Sequence, residues 1–217
     1  MKKIRILIAD DHSMIRQGLK ALIESKIEWE LCAEADNGRK AVDLAIKTQP
    51  DVAVLDITMP ELNGLDATRR IRAALPAVQV LILTMHDSEA LAREVLEAGA
   101  RGYVLKNDAP ELLPQAIESL AAGRAYFTSR ISDIIFGGLN SVSVLKTGEP
   151  LRSRLTPRER EIVQHLAEGK SNKETANALG ISLNTVETHR KNVMSKLKLR
   201  SASDLVRYAI RNKLAEA

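Results

Sequence analysis

Three acidic residues, a threonine and a lysine are set apart because each stands where an apolar run ends. Asp10 and Asp11 follow the run that begins at Ile4, Asp56 closes the run that begins at Val52, Thr84 closes the one from Val78, and Lys106 follows Gly102 to Leu105. Short apolar runs rich in β-branched residues read as strands covered on both faces of a parallel sheet. Such sheets place their ligand sites at the carboxyl ends of the strands. Three carboxylates gathered at one edge repel one another and call for a cation. Oxygen ligands with room for water and a phosphoryl group suit Mg2+. Thr84 adds a hydroxyl donor and Lys106 a counter-charge for phosphate oxygens. Together these meet the requirements of phosphoryl transfer onto an aspartate, with Asp56 as the acceptor. Met59-Pro60 and Asn63-Gly64 break regular structure just beyond it, which leaves its carboxylate beside a loop.

The elements that must position these residues alternate strand and helix through residues 1–122. Strands are expected at 4–9, 30–35, 52–56, 78–84 and 102–105, and helices at 13–24, from Gly38 through Ile46, 64–74, 88–98 and 110–122. The first helix carries Met14, Ile15, Leu19, Leu22 and Ile23 at helical spacing. Five strands alternating with five helices predict a doubly wound α/β domain with a five-stranded parallel sheet, flavodoxin-like in class. Residues 123–154 change character, with glycines, serines and Pro150, and read as a linker with a possible short helix at 131–139.

Composition bounds the rest. The 217 residues are 45% apolar and 28% charged, as in an ordinary globular protein, and no apolar run is long enough to span a membrane. The single cysteine, Cys32, excludes an internal disulfide and fits a buried thiol in a reducing compartment, so a cytoplasmic protein is expected. Residues 1–130 hold 17 Lys+Arg against 19 Asp+Glu, whereas residues 151–217 hold 14 against 7. A basic unit joined to a slightly acidic one suggests a nucleic-acid module on a control module.

Residues 155–217 are punctuated as helices. Thr156-Pro157-Arg158-Glu159 and Ser171-Asn172-Lys173-Glu174 are capping boxes, Gly180 supplies a positive φ past the second helix, and Ser182 and Ser201 cap two more. Ala176, Gly180, Ile181 and Val186 have the spacing of a helix-turn-helix. On its second helix, Val186, Val193, Met194 and Leu197 form the buried side. Asn184, Glu187, Thr188, Lys191 and Ser195 form a polar side suited to a major groove, and Arg190, Lys196 and Lys198 flank it within reach of phosphates.

Asp10-Asp11, Asp56, Thr84 and Lys106, each at its strand end, resemble the receiver domain of two-component response regulators across residues 3–122. Leu155 to Glu161, Ser171 to Glu174 and Thr185 to His189 look like the LuxR-type DNA-binding domain across residues 152–214. The pair resembles the NarL/FixJ-type response regulators over the whole chain. The resemblance implies that Asp56 takes phosphate from a sensor histidine kinase. It implies that Asp10 or Asp11, Asp56 and the Thr58 backbone carbonyl ligate Mg2+, and that Thr84 and Lys106 bind the phosphoryl oxygens. Tyr103 matches the aromatic that turns inward when Thr84 is drawn towards phosphate. Glu187, Thr188 and Lys191 become candidates for base edges, with Lys173, Thr185 and Lys191 for phosphates. The last helix, 201–212, matches the dimerising helix, so a homodimer on inverted half-sites is expected. Asn107 stands where many receivers have proline, and Glu187 where many relatives have a basic residue. His86, two residues after Thr84, lies where it could affect the lifetime of the acyl phosphate.

The expected function is a transcriptional regulator that binds double-stranded DNA and is not an enzyme. A phosphatase of the haloacid-dehalogenase type needs a second aspartate two residues after the nucleophile, where Thr58 stands. A dinucleotide-binding oxidoreductase needs a glycine-rich turn after the first strand, which reads Asp10-Asp11-His12-Ser13-Met14. The remaining alternative is a regulator that binds DNA or a protein partner without phosphorylation.

Overall fold

The structure is a computed structural model that describes residues 3–85, 88–127 and 155–215, and its contacts divide the chain into two compact units, 1–142 and 143–217. In the first unit the strands are β1 (Ile4–Ala9), β2 (Trp29–Ala35), β3 (Val52–Asp56), β4 (Gln79–Thr84), β5 (Gly102–Leu105) and β6 (Tyr126–Phe127). They form one parallel sheet in the order β2-β1-β3-β4-β5-β6. The helices are α1 (Ser13–Glu24), α2 (Gly38–Thr48), α3 (Gly64–Ala74), α4 (Glu89–Glu97) and α5 (Ala109–Ala121).

Successive strand residues point to opposite faces, so the strands feed two cores. Leu7, Leu55, Ile82 and Tyr103 are buried in one with Ala41, Ile71 and Val95 from α2, α3 and α4. Ile6, Ile8, Val54, Leu83 and Val104 are buried in the other with Leu19, Ile23, Leu113 and Ile117 from α1 and α5. Each large side chain so buried is worth about 1.5–3 kcal/mol against exposure, and this two-sided cover fixes the register that aligns the strand ends.

Three expectations are corrected. The sheet has a sixth strand: Tyr126 and Phe127, placed in the linker by composition, pair with Gly102 and Tyr103. Two residues are too few to show a period, and it is the Tyr126 N–H donating to the Arg101 carbonyl at 2.9 Å that starts the ladder. Met14 is 83% exposed, because α1 turns Leu19 and Ile23 to the sheet instead. Cys32 is half-buried in β2, with Sγ 3.3 Å from the Ile6 carbonyl, and burial pushes its thiol up. The possible helix at 131–139 and most of the linker lie outside the described residues.

The second unit holds α6 (Pro157–Ala167), α7 (Asn172–Leu179), α8 (Leu183–Lys196) and α9 (Ala202–Arg211). Both capping boxes form as the sequence predicts, with Thr156 accepting from the Glu159 N–H and Ser171 from the Glu174 N–H. Gly180 ends α7 at φ 62°, a left-handed conformation that costs glycine little. Ile162, Ala176 and Val186 are buried together where α6, α7 and α8 meet, and the small Ala176 lets the backbones approach. Val163, Val193, Leu205 and Ala209 make the larger core. Among the described residues no helix is long and apolar enough to cross a membrane.

Candidate functional site

Asp10, Asp11, His12 and Asp56 each place a ligand atom within 4.8 Å of the others at the carboxyl edge of the sheet. The register explains the gathering: Ala9 pairs with Leu55 and Asp56 with Leu83, so β1, β3 and β4 end side by side. Asp56 is held from both sides. Its Oδ1 accepts from the Ile57 N–H at 2.7 Å, and its Oδ2 accepts from Lys106 Nζ at 2.7 Å. The same ammonium lies 2.7 Å from Asp10 Oδ2, and the Asp10 Oδ1 accepts from the His12 N–H at 2.9 Å. Lys106 begins a 3₁₀ turn, Lys106–Asp108, and no cis peptide bond occurs among the described residues.

Electrostatics follow from that crowding. Burial, with Asp10 adding its charge, pushes the Asp56 carboxyl up to about 6 against the downward pull of Lys106. Burial also works against the Lys106 ammonium, but Asp56 and Asp10 outweigh it and hold its pKa above the ordinary value. The charge of Asp11, with Asp10 adding to it, raises the His12 imidazole against partial burial. Asp10 Oδ2 and Asp11 Oδ1 are buried, and each faces one cationic partner, Lys106 Nζ at 2.7 Å and His12 Nδ1 at 2.8 Å. Three carboxylates gathered around one ammonium and one imidazole fit a divalent cation, and their oxygens suit Mg2+.

The other predicted residues of this unit take these places. Thr84 is buried at the end of β4, paired in register with Leu105, the residue before Lys106. Thr58 is half-buried in the loop two residues beyond Asp56. Tyr103 is fully buried at 1% exposure and packs in the core of the α2–α4 face. His86 lies outside the described residues.

In the second unit, Asn184, Glu187, Thr188, Lys191 and Ser195 are all exposed on α8, while Val186 and Val193 are buried. Lys173 is exposed on α7. Thr185 Oγ1 lies 2.8 Å from Ser182 Oγ, and the Thr188 hydroxyl donates to the Asn184 carbonyl at 2.8 Å. Arg190 donates to Asn172 Oδ1 at 3.2 Å, bridging α8 to the start of α7. Lys196, expected to flank the polar side, instead donates to Glu159 Oε2 at 2.9 Å. That oxygen also accepts from the Thr156 N–H at 2.7 Å, so Lys196 locks the end of α8 to the cap of α6.

Residues 6–118 match the response regulator receiver domain, and residues 153–209 match the bacterial regulatory proteins of the luxR family. The chain belongs to the NarL/FixJ-type response regulators. It is 38% identical to the transcriptional regulatory protein MctR of Rhizobium johnstonii, over 96% of this chain and 94% of that protein. It is 36% identical to the oxygen regulatory protein NreC of Staphylococcus epidermidis, over 98% of this chain and all of NreC. Among solved structures it is similar to the Salmonella typhimurium RcsB response regulator, described for its conformational dynamism in DNA interaction. That likeness has 26% identity, a TM-score of 0.64, and covers 96% of this chain and 97% of RcsB. RcsB has also been solved as a complex with DNA, with 25% identity, a TM-score of 0.57 and 95% of this chain covered.

Two residues of this response regulator shape the receiver edge in ways that sequence reasoning did not show. Arg16, one turn into α1, donates from Nη1 to the Asp10 carbonyl at 2.7 Å and to the Asp11 carbonyl at 3.1 Å. It therefore ties down the turn that carries both carboxylates. Gly64 is required by close approach: a Cβ there would stand 1.8 Å from the Asp56 carbonyl oxygen. Its N–H donates to the Ile57 carbonyl at 2.7 Å, which draws α3 against the acceptor loop. The sequence signal for Gly64 was its place after Asn63, the α3 cap, which accepts from the Asp66 N–H.

Proposed function

We propose that this response regulator is a DNA-binding transcription factor switched by phosphoryl transfer from a sensor histidine kinase to Asp56. The observation that carries the reading is the placement of Asp56 Oδ2 at 2.7 Å from Lys106 Nζ, beside Asp10 and Asp11, at the sheet's carboxyl edge. An Asp56 oxygen attacks the phosphorus of the kinase phosphohistidine; the new O–P bond forms as the N–P bond breaks and the imidazole leaves. Lys106, released from Asp56, pairs with a phosphoryl oxygen, and the Thr84 hydroxyl donates to another. Asp10, Asp11, Asp56 and the Thr58 carbonyl are the residues that would hold Mg2+, which supplies charge neutralisation on the transferring group.

Phosphorylation replaces a charge near −1 with one of about −2 and biases two pre-existing states of the receiver. Tyr103 is the aromatic reporter of that bias, moving with Thr84. The output is read by α8, whose Glu187, Thr188 and Lys191 face base edges, while Lys191 also reaches phosphates together with Thr185 and Arg190 of α8 and Lys173 of α7. The exposed polar side of α8 and the net basic charge of residues 151–217 support a DNA partner, as does the likeness to RcsB. Pairing of two chains through α9 gives a homodimer on inverted half-sites.

The test is the intact mass of the full-length protein after incubation with acetyl phosphate and Mg2+, beside Asp56→Asn and chelator controls. A phosphoryl adduct that disappears in both controls is the expected result. No adduct from acetyl phosphate or from a kinase donor, in a folded sample, overturns the phosphorylation step and leaves DNA binding by the unmodified protein.

A further inference from the structure

The turn from Asp10 to His12 carries two of the three carboxylates, and its own backbone holds it weakly. The Asp10 N–H reaches the Ala35 carbonyl only at 3.3 Å, a long last rung to β2. His12, at the cap position of α1, makes no side-chain capping bond. The firmer hold is Arg16. Its N–H donates to the His12 carbonyl at 3.1 Å, and its side chain folds back over the turn, with Nη1 donating to the Asp10 carbonyl at 2.7 Å and to the Asp11 carbonyl at 3.1 Å. Those two carbonyls belong to the peptide planes on either side of the Asp11 Cα. One guanidinium nitrogen therefore holds both backbone torsions of Asp11 and the ψ of Asp10, with bonds roughly twice as strong as neutral ones. Among the described residues no carboxylate pairs with Arg16, so its charge serves the backbone.

Asp11 has most to gain. Asp10 is held at Oδ1 by the His12 N–H and at Oδ2 by Lys106, and Asp56 by the Ile57 N–H and Lys106, whereas the Asp11 carboxylate meets only the half-exposed His12 ring. Mg2+ demands near-ideal octahedral geometry at about 2.0–2.1 Å, and a site must hold its groups to within about 0.5 Å to meet such a demand. We propose that Arg16 is a positioning residue for the phosphoryl-transfer site, aiming the Asp10 and Asp11 carboxylates at Mg2+ through the backbone that carries them. The inference rests on the reading of the acidic edge as the Mg2+ site for Asp56. Simple charge predicts the opposite sign, because a guanidinium beside the site repels a dication and its removal would tighten Mg2+. Arg16 is half-buried and that repulsion is screened by solvent and salt, whereas the two bonds are direct.

The test titrates the full-length parent, Arg16→Ala, Arg16→Gln and Arg16→Lys proteins with MgCl2 by calorimetry, without any phosphoryl donor, and then follows the acetyl phosphate adduct against Mg2+ concentration. Arg16→Ala and Arg16→Gln should each weaken Mg2+ at least tenfold and raise the Mg2+ concentration for half-maximal adduct formation by the same factor. At saturating Mg2+ their adduct rate should stay within threefold of the parent, because Asp56, Thr84 and Lys106 are untouched; a merely unfolded fraction would lower that rate and leave the half-maximal concentration alone. Arg16→Lys, whose ammonium can still bridge the two carbonyls, should recover Mg2+ affinity to within threefold. Unchanged or tighter Mg2+ in Arg16→Gln, or a rate loss that saturating Mg2+ does not restore, overturns the positioning role. A parent that takes up neither Mg2+ nor phosphate overturns the reading of the edge as the Mg2+ site, and the inference with it.

Discussion

Lys106 Nζ stands 2.7 Å from Asp56 Oδ2 and, with Asp10 Oδ2 at the same distance, draws two buried carboxylates onto one ammonium. One cation cannot neutralise both. Asp56 accordingly has its carboxyl pushed up to about 6 by burial and by Asp10, against an ordinary value of 3.8. A carboxyl raised in the folded state is penalised once it ionises, so this group costs stability as pH rises from about 4 to above 6. The ionised penalty is on the order of 3 kcal/mol.

The Asp56→Asn protein should therefore be more stable than the parent at pH 7.5 in EDTA, with the gap closing towards pH 4.5. Trp29, the one tryptophan, is buried at the start of β2 and reports the first unit in urea denaturation. An Asp56→Asn midpoint at or below the parent's at pH 7.5 would reject the account.

Glycine substitutions should separate an open site from a closed one. At Gly18 in α1 an added Cβ meets nothing within 4 Å, and alanine gains about 0.5–1 kcal/mol in a helix interior. At Gly64 the same atom would stand 1.8 Å from the Asp56 carbonyl oxygen, so the acceptor loop must move. Gly18→Ala should raise the urea midpoint and leave phosphorylation intact. Gly64→Ala should lower it, with a loss of stability of at least about 2 kcal/mol, and slow adduct formation at Asp56. Equal midpoints for the two variants would contradict the close approach.

The strand-end residues were legible because buried parallel strands are written as apolar runs, and a polar residue that stops such a run marks the sheet edge. The capping boxes were legible because their chemistry is local, spanning four residues. What failed was long-range or very short. Lys196 looked like a free cation beside the polar side of α8, but its partner Glu159 lies 37 residues back on α6. Tyr126 and Phe127 were hidden in a glycine-rich stretch because two residues have no period. His12 reads as an ordinary turn residue until β3 brings Asp56 beside it.

The Lys196 correction leads to a measurement on DNA. Each phosphate neutralised by a lysine contributes about −0.9 to the slope of log affinity against log salt. Lys191 is exposed on the polar side of α8, so Lys191→Ala should flatten that slope by about one unit. Lys196→Met should leave the slope unchanged, because its ammonium is held at Glu159 Oε2. It should instead destabilise the second unit and make it more sensitive to acid. Burial would raise the Glu159 carboxyl, but the Thr156 N–H and the Lys196 ammonium outweigh it and hold it below the ordinary value. A lowered carboxyl stabilises above its unfolded pKa, about 4.3, and that stabilisation fades as pH falls through the folded value. Without Lys196 the folded value rises and the fading begins at higher pH. Thermal melts of the parent and Lys196→Met from pH 3.5 to 7 should show that earlier loss, and a slope change for Lys196→Met equal to that of Lys191→Ala would return Lys196 to the DNA face.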